Sequence, residues 1–416
     1  MRQIYPIIPQ RGDENLRAFF GGRIFTAGLP MRALIAFDKF KDALTAHAAC
    51  ETAATMLRTK HPDWQIDLCP LTDGGEGFCE TLSRNIGERT EPITVRGPAG
   101  GSVVAPVGFV LNHSLTPATQ QRLNLTGHGV LAVAGLASAS GIELLPNNQR
   151  DPWRTSTYGT GELLKYAVQK KAGTILLGVG GSATNDLGLG ALAALGFKFF
   201  DAQGKSIPVP TPATWERITR IDASGASALP PLFIACDVTN PLLGPTGATA
   251  TFGPQKGLKP TDLPRLEAQA ARMAKILCEA CGQPFSLAEK PGAGAAGGIA
   301  FGLMVAAGAK LVPGFDLVSD WLDLPARIAA ADLIITGEGR FDTTSLGGKG
   351  PGSLVREARR LGKPAYVFAG SLALPGKAQS SMNGIKAHPI TPPEMPLTEA
   401  LSRTAELLAA AINRTL

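Results

Sequence analysis

Histidine is scarce in this 416-residue chain. The five, at 47, 61, 113, 128 and 388, all lie outside the glycine- and acid-rich motifs described below. A histidine-based triad or a histidine-rich zinc site therefore has little to build on. Cysteine is sparing too, with six residues at 50, 69, 79, 236, 278 and 281. Cys278 and Cys281 form the single C-x-x-C, inside a helical pattern and without a second pair at zinc-site spacing. No disulfide framework is implied, and a reducing cytoplasm is the expected compartment.

Charge and aromatics are also thin. Charged residues make up 18% and aromatics 6%, and the net charge of +6 is spread along the chain. A nucleic-acid surface gathers its cations on one face and interleaves aromatics, so no nucleic-acid partner is expected. The mild basic excess suits small anionic ligands better. The N-terminal thirty residues hold no continuous apolar core and no small-residue cleavage pattern, so they do not read as a secretory signal. They read as an extension ahead of the fold, which begins near Met31. The uncharged stretch 291–309 approaches the length of a membrane span. It is mostly Gly and Ala, which gain little on leaving water, and a tightly packed buried helix is expected instead. No membrane partner is anticipated.

What is present is apolar residue, 44% of the chain, with 49 glycines and 32 prolines for tight turns. The length exceeds what one core usually supports, so two domains are expected. Short apolar runs at 33–37, 66–71, 174–179, 231–236, 332–336 and 365–369 alternate with helical patterns at 45–60, 160–171, 188–196, 262–281, 351–361 and 397–413. This is the pattern of an α/β protein with a largely parallel sheet. The region 95–145 is Val-rich and punctuated by Gly and Pro, and predicts short strands entering a second domain.

Five of these runs end in glycines and acids. ALIAF leads into Asp38-Lys39-Phe40-Lys41, and IDLCPL into Thr72-Asp73-Gly74-Gly75-Glu76-Gly77. TILLGV leads into Gly180-Gly181-Ser182-Ala183-Thr184-Asn185-Asp186, PLFIAC into Asp237, and DLIIT into Gly337-Glu338-Gly339-Arg340-Phe341-Asp342. Open α/β sheets bind ligands at the carboxyl ends of their strands, so the five endings together read as one active-site rim. Glycines admit close backbone approach, and consecutive N–H groups cradle an anion. The acids Asp38, Asp73, Glu76, Asp186, Asp237, Glu338 and Asp342 would repel a phosphate without a divalent cation between them. With Lys41, Lys256, Arg340 and Lys349 nearby in sequence, they form the parts of Mg²⁺-assisted phosphoryl transfer.

Other nucleotide motifs fail. The sole Gly-Lys-Ser, at 204–206, has Phe199 where a Walker A glycine belongs. Gly292, Gly294 and Gly297 match G-x-G-x-x-G but follow AEKP and not a strand. A nicotinamide-dependent oxidoreductase built on GAGAAG and a non-catalytic sensor descended from a kinase stay open as rivals.

LTDGGEG, STYGTGE, GGSATND, CDVTNPLLGPTGA, FGPQKG, PGAGAAGG and ITGEGRFD stand here in the order found in the type 1 glycerate kinases, and the chain from Met31 onward resembles that family. The resemblance implies transfer of the ATP γ-phosphoryl group to D-glycerate with Mg²⁺, giving 2-phosphoglycerate. Its alternatives are a related small hydroxy acid or the 3-phosphoglycerate product. It also implies two α/β domains with the site in their cleft, one discontinuous (31–94 plus 291–416) and one inserted (95–290). A homodimer is compatible with it. Departures from the family pattern are Lys39 for a serine, Gly135 for a glutamate, Leu187 for a glycine, and Thr344 and Gly347 for a glutamine and a histidine.

On these grounds Asp73 is expected to orient or deprotonate the attacking hydroxyl, an Asx-type turn being its structural alternative. Lys41 and Arg340 are expected to neutralise the moving phosphoryl group, and Asp186 or Asp237 to hold the metal. Asp38, Gly74, Gly75, Glu76, Gly180, Gly181, Ser182, Thr184, Asn185, Asp237, Lys256 and Glu338 are expected to bind substrate or ATP. Of Asn185 and Asp186, one is expected to cap the following helix and the other to reach the ligand.

Overall fold

The apolar runs become strands, and the central ones are buried on both faces, as parallel strands covered by helices must be, while the run at 66–71 gives a partly exposed edge strand. A computed structural model describes residues 30–347, 350–374 and 385–416; Lys349 and residues 1–29 of the extension lie outside them. The strands are β1 (Arg32–Phe37), β2 (Gln65–Leu68), β3 (Thr90–Arg96), β4 (Ser102–Leu111), β5 (Val130–Gly135), β6 (Thr174–Gly178), β7 (Lys198–Phe200), β8 (Arg220–Asp222), β9 (Leu232–Ala235), β10 (Lys310–Val312), β11 (Leu333–Asp342), β12 (Ala365–Ala373) and β13 (Ile385–Pro389).

Two sheets carry the site. The first runs β13-β12-β11-β1-β2 and is parallel throughout. It is drawn from both ends of the chain. The second runs β10-β9-β6-β5-β4-β3, parallel from β10 to β5 and antiparallel beyond. Strands β3 and β10 carry this sheet past the 95–290 segment on both sides. A small antiparallel pair, β7 and β8, stands apart.

Alternation along each strand distributes the core. On β1, Ile35 and Phe37 pack with helices Ala46–Lys60 and Thr404–Thr415, while Leu34 and Ala36 face helix Pro351–Arg360 and helix Leu324–Ala330. That second cluster continues through Phe78, Leu82 and Trp321 to Val133, Leu176 and Phe233, so it joins the inner faces of both sheets. The outer face of the six-stranded sheet, with Ala132, Ile175 and Ile234, packs on helices Tyr158–Gln169, Leu263–Cys281 and Ala295–Ala307.

Some boundaries differ from expectation for physical reasons. The uncharged stretch forms the buried helix Ala295–Ala307, and no helix among the described residues is long and apolar enough to cross a membrane. The C-terminal helical pattern divides at Arg403 into Leu397–Ser402 and Thr404–Thr415. The largest difference is β11. It does not stop at Thr336 but pairs with β12 as far as Asp342. Glu338, Arg340 and Asp342 are therefore alternate residues of a strand and share a face, while Phe341 is fully buried on the other.

Candidate active site

The carboxyl ends of β1 and β11 on one side, and of β6 and β9 on the other, open onto a cleft of about 850 Å³. The face of β11 just described supplies Glu338, Arg340 and Asp342 to it. Arg340 Nε lies 3.3 Å from Asp342 Oδ2, and the Ser345 amide donates to Asp342 Oδ1 at 3.2 Å. Asp38, directly after β1, accepts from the Lys39 amide at 2.7 Å.

Acids on this side crowd one another. Burial, reinforced by Asp73, pushes the Asp38 carboxyl up to about 7 against the pull of Lys39. Burial does the same to Glu338, raising it to about 7 with help from Asp342 and Asp73. Glu338 Oε1 is buried with no hydrogen-bond partner. A surplus of carboxylate this close to a cleft is a site short of positive charge.

Lys39 supplies part of that charge. Its Nζ pairs with Glu76 and lies 3.9 Å from Asp73 Oδ1. Burial disfavours the ammonium, but Asp73 and Glu76 outweigh burial and hold it charged beyond the ordinary lysine range. Asp73 does make the Asx-type contact, accepting from the Gly75 amide at 3.0 Å. The contact does not hide it: its side chain is 56% exposed and faces the cleft.

The glycines of the two loops divide between the cleft and the packing of one loop on the other. The Gly180 amide donates to Gly74 O at 2.9 Å, and a Cβ on Gly180 would stand 2.7 Å from Gly75 Cα. The loops after β2 and β6 thus touch backbone to backbone, and only glycine allows it. Gly180 and Gly181 line the cleft, whereas Gly74 and Gly75 serve this packing and are absent from its lining.

On the six-stranded side Asp186, expected to be a metal ligand and a catalytic group, is turned inward. It has no exposed surface and does not line the cleft. Its carboxylate accepts from the Thr157 amide (2.8 Å) and hydroxyl (2.9 Å), the Gly188 amide (3.1 Å) and the Gly190 amide (3.2 Å). These donors belong to the starts of helices Tyr158–Gln169 and Leu189–Ala194, so Asp186 caps both, with three donors on Oδ2 and one on Oδ1. Asn185 is also buried, its Nδ2 donating to Thr249 Oγ1 at 3.2 Å while Oδ1 has no partner. Capping therefore falls to the acid, and the amide beside it does not reach the cleft. Thr184, fully buried, offers its carbonyl inward.

Asp237 does line the cleft, while both its oxygens accept from the Phe315 amide at the start of helix Gly314–Trp321, at 3.0 and 3.2 Å. Lys256 lines the same cleft, only 2% exposed, with Nζ donating to Ser182 Oγ (2.7 Å) and Thr184 O (2.6 Å). Burial brings its amine down to about 7, Asp186 opposing. Lys41 is exposed at the rim.

Sequence reasoning overlooked two cleft cations. Lys39 was visible only as the loss of a serine, and Arg150, in the polar stretch NNQRDP, carried no signal at all. The side-chain surroundings of Thr344 and Gly347 lie outside the described residues.

Comparison with known proteins now bears on this cleft. The model of the glycerate kinase family matches residues 33–416. The chain belongs to the glycerate kinase family. It is 37% identical to a glycerate kinase of Haemophilus influenzae over 82% of this chain and 86% of that protein, and 37% identical to the glycerate 2-kinase of Escherichia coli at the same coverage. A crystal structure of a putative glycerate kinase 2 from Salmonella typhimurium superposes with a TM-score of 0.70 at 35% identity, covering 92% of this chain and 97% of that one. The chain is accordingly a kinase, and ATP is the co-substrate that family membership implies.

Proposed function

We propose that the protein transfers the γ-phosphoryl group of ATP, with Mg²⁺, to the 2-hydroxyl of D-glycerate. The observation that carries this reading is one cleft at the strand ends with an acid wall facing a basic one, in a chain of this family. The choice of hydroxyl leans on the likeness to the E. coli glycerate 2-kinase.

The residues present fit a divalent cation that arrives with the nucleotide. No group of three or more His, Cys, Asp or Glu among the described residues forms a metal cage. Mg²⁺ seldom needs one, since it binds through one or two carboxylates plus phosphate and water. Asp237 and Glu338, the latter with an orphaned buried oxygen, are the carboxylates suited to that role. When bound, the ion offsets phosphate charge and polarises the transferred group.

The chain's own side chains do the rest. Arg340 and Lys41, exposed at the rim, pair with oxygens that gain charge as the phosphoryl group moves. Asp73, half-exposed and tied at one oxygen to the Gly75 amide, keeps its other oxygen for the substrate hydroxyl and accepts its proton. Lys39 anchors Glu76 beside it. Arg340 and Lys256 are the groups available to the substrate carboxylate.

The test is ADP formation with Mg²⁺-ATP and D-glycerate, coupled to enolase alone and separately to enolase with phosphoglycerate mutase. Signal with enolase alone is expected and identifies the 2-hydroxyl as acceptor. Signal only with mutase present assigns the 3-hydroxyl. No turnover with glycerate sinks the substrate assignment and sends the search to other hydroxy acids.

A further inference from the structure

Among the described residues, two cations on the six-stranded side of the cleft make no ion pair. Lys256 is almost wholly buried, yet among the described residues its Nζ contacts only a hydroxyl and a carbonyl. An ammonium has three N–H donors, and two are accounted for. Arg150 lines the same cleft, and its Nε is buried with no hydrogen-bond partner.

The fold holds the two together. Lys256 ends the short helix Pro254–Lys256, which Gly257 terminates at a φ of +93°. A Cβ on Gly257 would lie 2.3 Å from Arg150 O, so only glycine lets this turn close against the Arg150 segment. Buried cations are normally paired within the protein, because an uncompensated charge away from water is costly. Here the open side is the cleft.

We infer that Lys256 and Arg150 form the seat of the substrate's carboxylate, and that Lys256 takes up a proton from solvent when the seat is filled. The inference rests on the proposed reaction for the identity of its ligand. The nucleotide's phosphates come with a divalent cation and belong near the acid wall. The hydroxy acid brings a carboxylate with no metal, and it needs positive charge from the chain.

The direction of proton movement follows from the surroundings. In the empty seat burial holds the amine near 7, with Asp186 the acid that opposes it, and Arg150 lines the same cleft from the segment packed against Gly257. A carboxylate brought to its open side favours the ammonium. Above pH 7 the amine is mainly neutral until the ligand arrives, then binds a proton and pairs with it. Below pH 6 it is already charged and binding moves no proton.

Calorimetric titration of the full chain with D-glycerate, without nucleotide or metal, tests this in two buffers of different ionisation enthalpy. At pH 8 uptake approaching one proton per glycerate is expected, and near none at pH 6. Lys256→Met should abolish the uptake and weaken binding at least tenfold, and Arg150→Met should weaken binding but keep the uptake. Wild-type binding at pH 8 without proton uptake overturns the inference, whatever the variants do. So does uptake that survives in Lys256→Met. If glycerate does not bind, acetate separates the two ideas. Acetate binding with uptake that Lys256→Met removes keeps the seat and dismisses glycerate, while acetate that binds without uptake, or not at all, dismisses the seat.

Discussion

The two walls of the cleft treat charge in opposite ways. On the five-stranded side Asp38, Glu338 and Asp342 face the cleft together, and Asp73 reaches in among them from the loop after β2, so burial and mutual repulsion raise two of the four. On the six-stranded side both acids are committed to backbone amides. Asp186 serves the starts of two helices and is shut off from the ligand space, while Asp237 serves a third and still lines the cleft, as do Lys256 and Arg150. The acids of one wall are thus left mainly to the ligand, while those of the other serve the framework first, and Asp186 serves nothing else.

The sharpest break of that contrast is Asp73→Asn. The amide oxygen of asparagine still accepts from the Gly75 amide, so the turn and the fold should survive. What is lost is the basic oxygen for the substrate hydroxyl. Turnover in the coupled assay should fall by about 10²–10⁴, the usual worth of a general base, with an unchanged circular dichroism spectrum. Near-normal turnover would move Asp73 into the framework class beside Asp186.

Asp186→Ala tests the other wall and should act on stability. Four donors lose their acceptor at once in a site with no solvent access. Leaving them unpaired should cost at least about 3 kcal/mol in denaturant unfolding. The affinity of the surviving folded protein for Mg²⁺-nucleotide should be close to wild type. A large loss of that affinity with little loss of stability would put Asp186 back on the rim.

How much of this was readable beforehand differs between the walls for a related reason. The strands were legible because buried parallel strands are continuous apolar runs, and their glycine- and acid-rich endings located the cleft. The charged alternation Glu338, Arg340, Asp342 is a period of two in plain view, but Gly337 and Gly339 on either side of Glu338 read as a turn and concealed a strand. Asp186 could not be placed, since its orientation depends on Thr157, 29 residues earlier. Arg150 was invisible because its position is fixed by packing against Gly257, far along the chain.

The smallest effect is also the one that sets the walls side by side in a single observable. Glu338 has an ordinary value of 4.5 and is held at about 7, so between those limits the folded state keeps a proton that the unfolded chain has released. Stability from this group therefore falls as pH rises from 4.5 to 7. Lys256 runs the other way: its ordinary 10.5 is lowered to about 7, and from 7 to 10.5 the unfolded chain holds the extra proton. Stability from Lys256 rises through that second window. Glu338→Gln cannot ionise and should melt a few degrees above wild type at pH 8, the gap closing toward pH 4.5. Lys256→Met should lose ground to wild type steadily from pH 7 to 10. Melting curves across pH for the two variants should thus separate from wild type in adjacent windows and with opposite sign, because one wall buries surplus acid and the other buries an unpaired base.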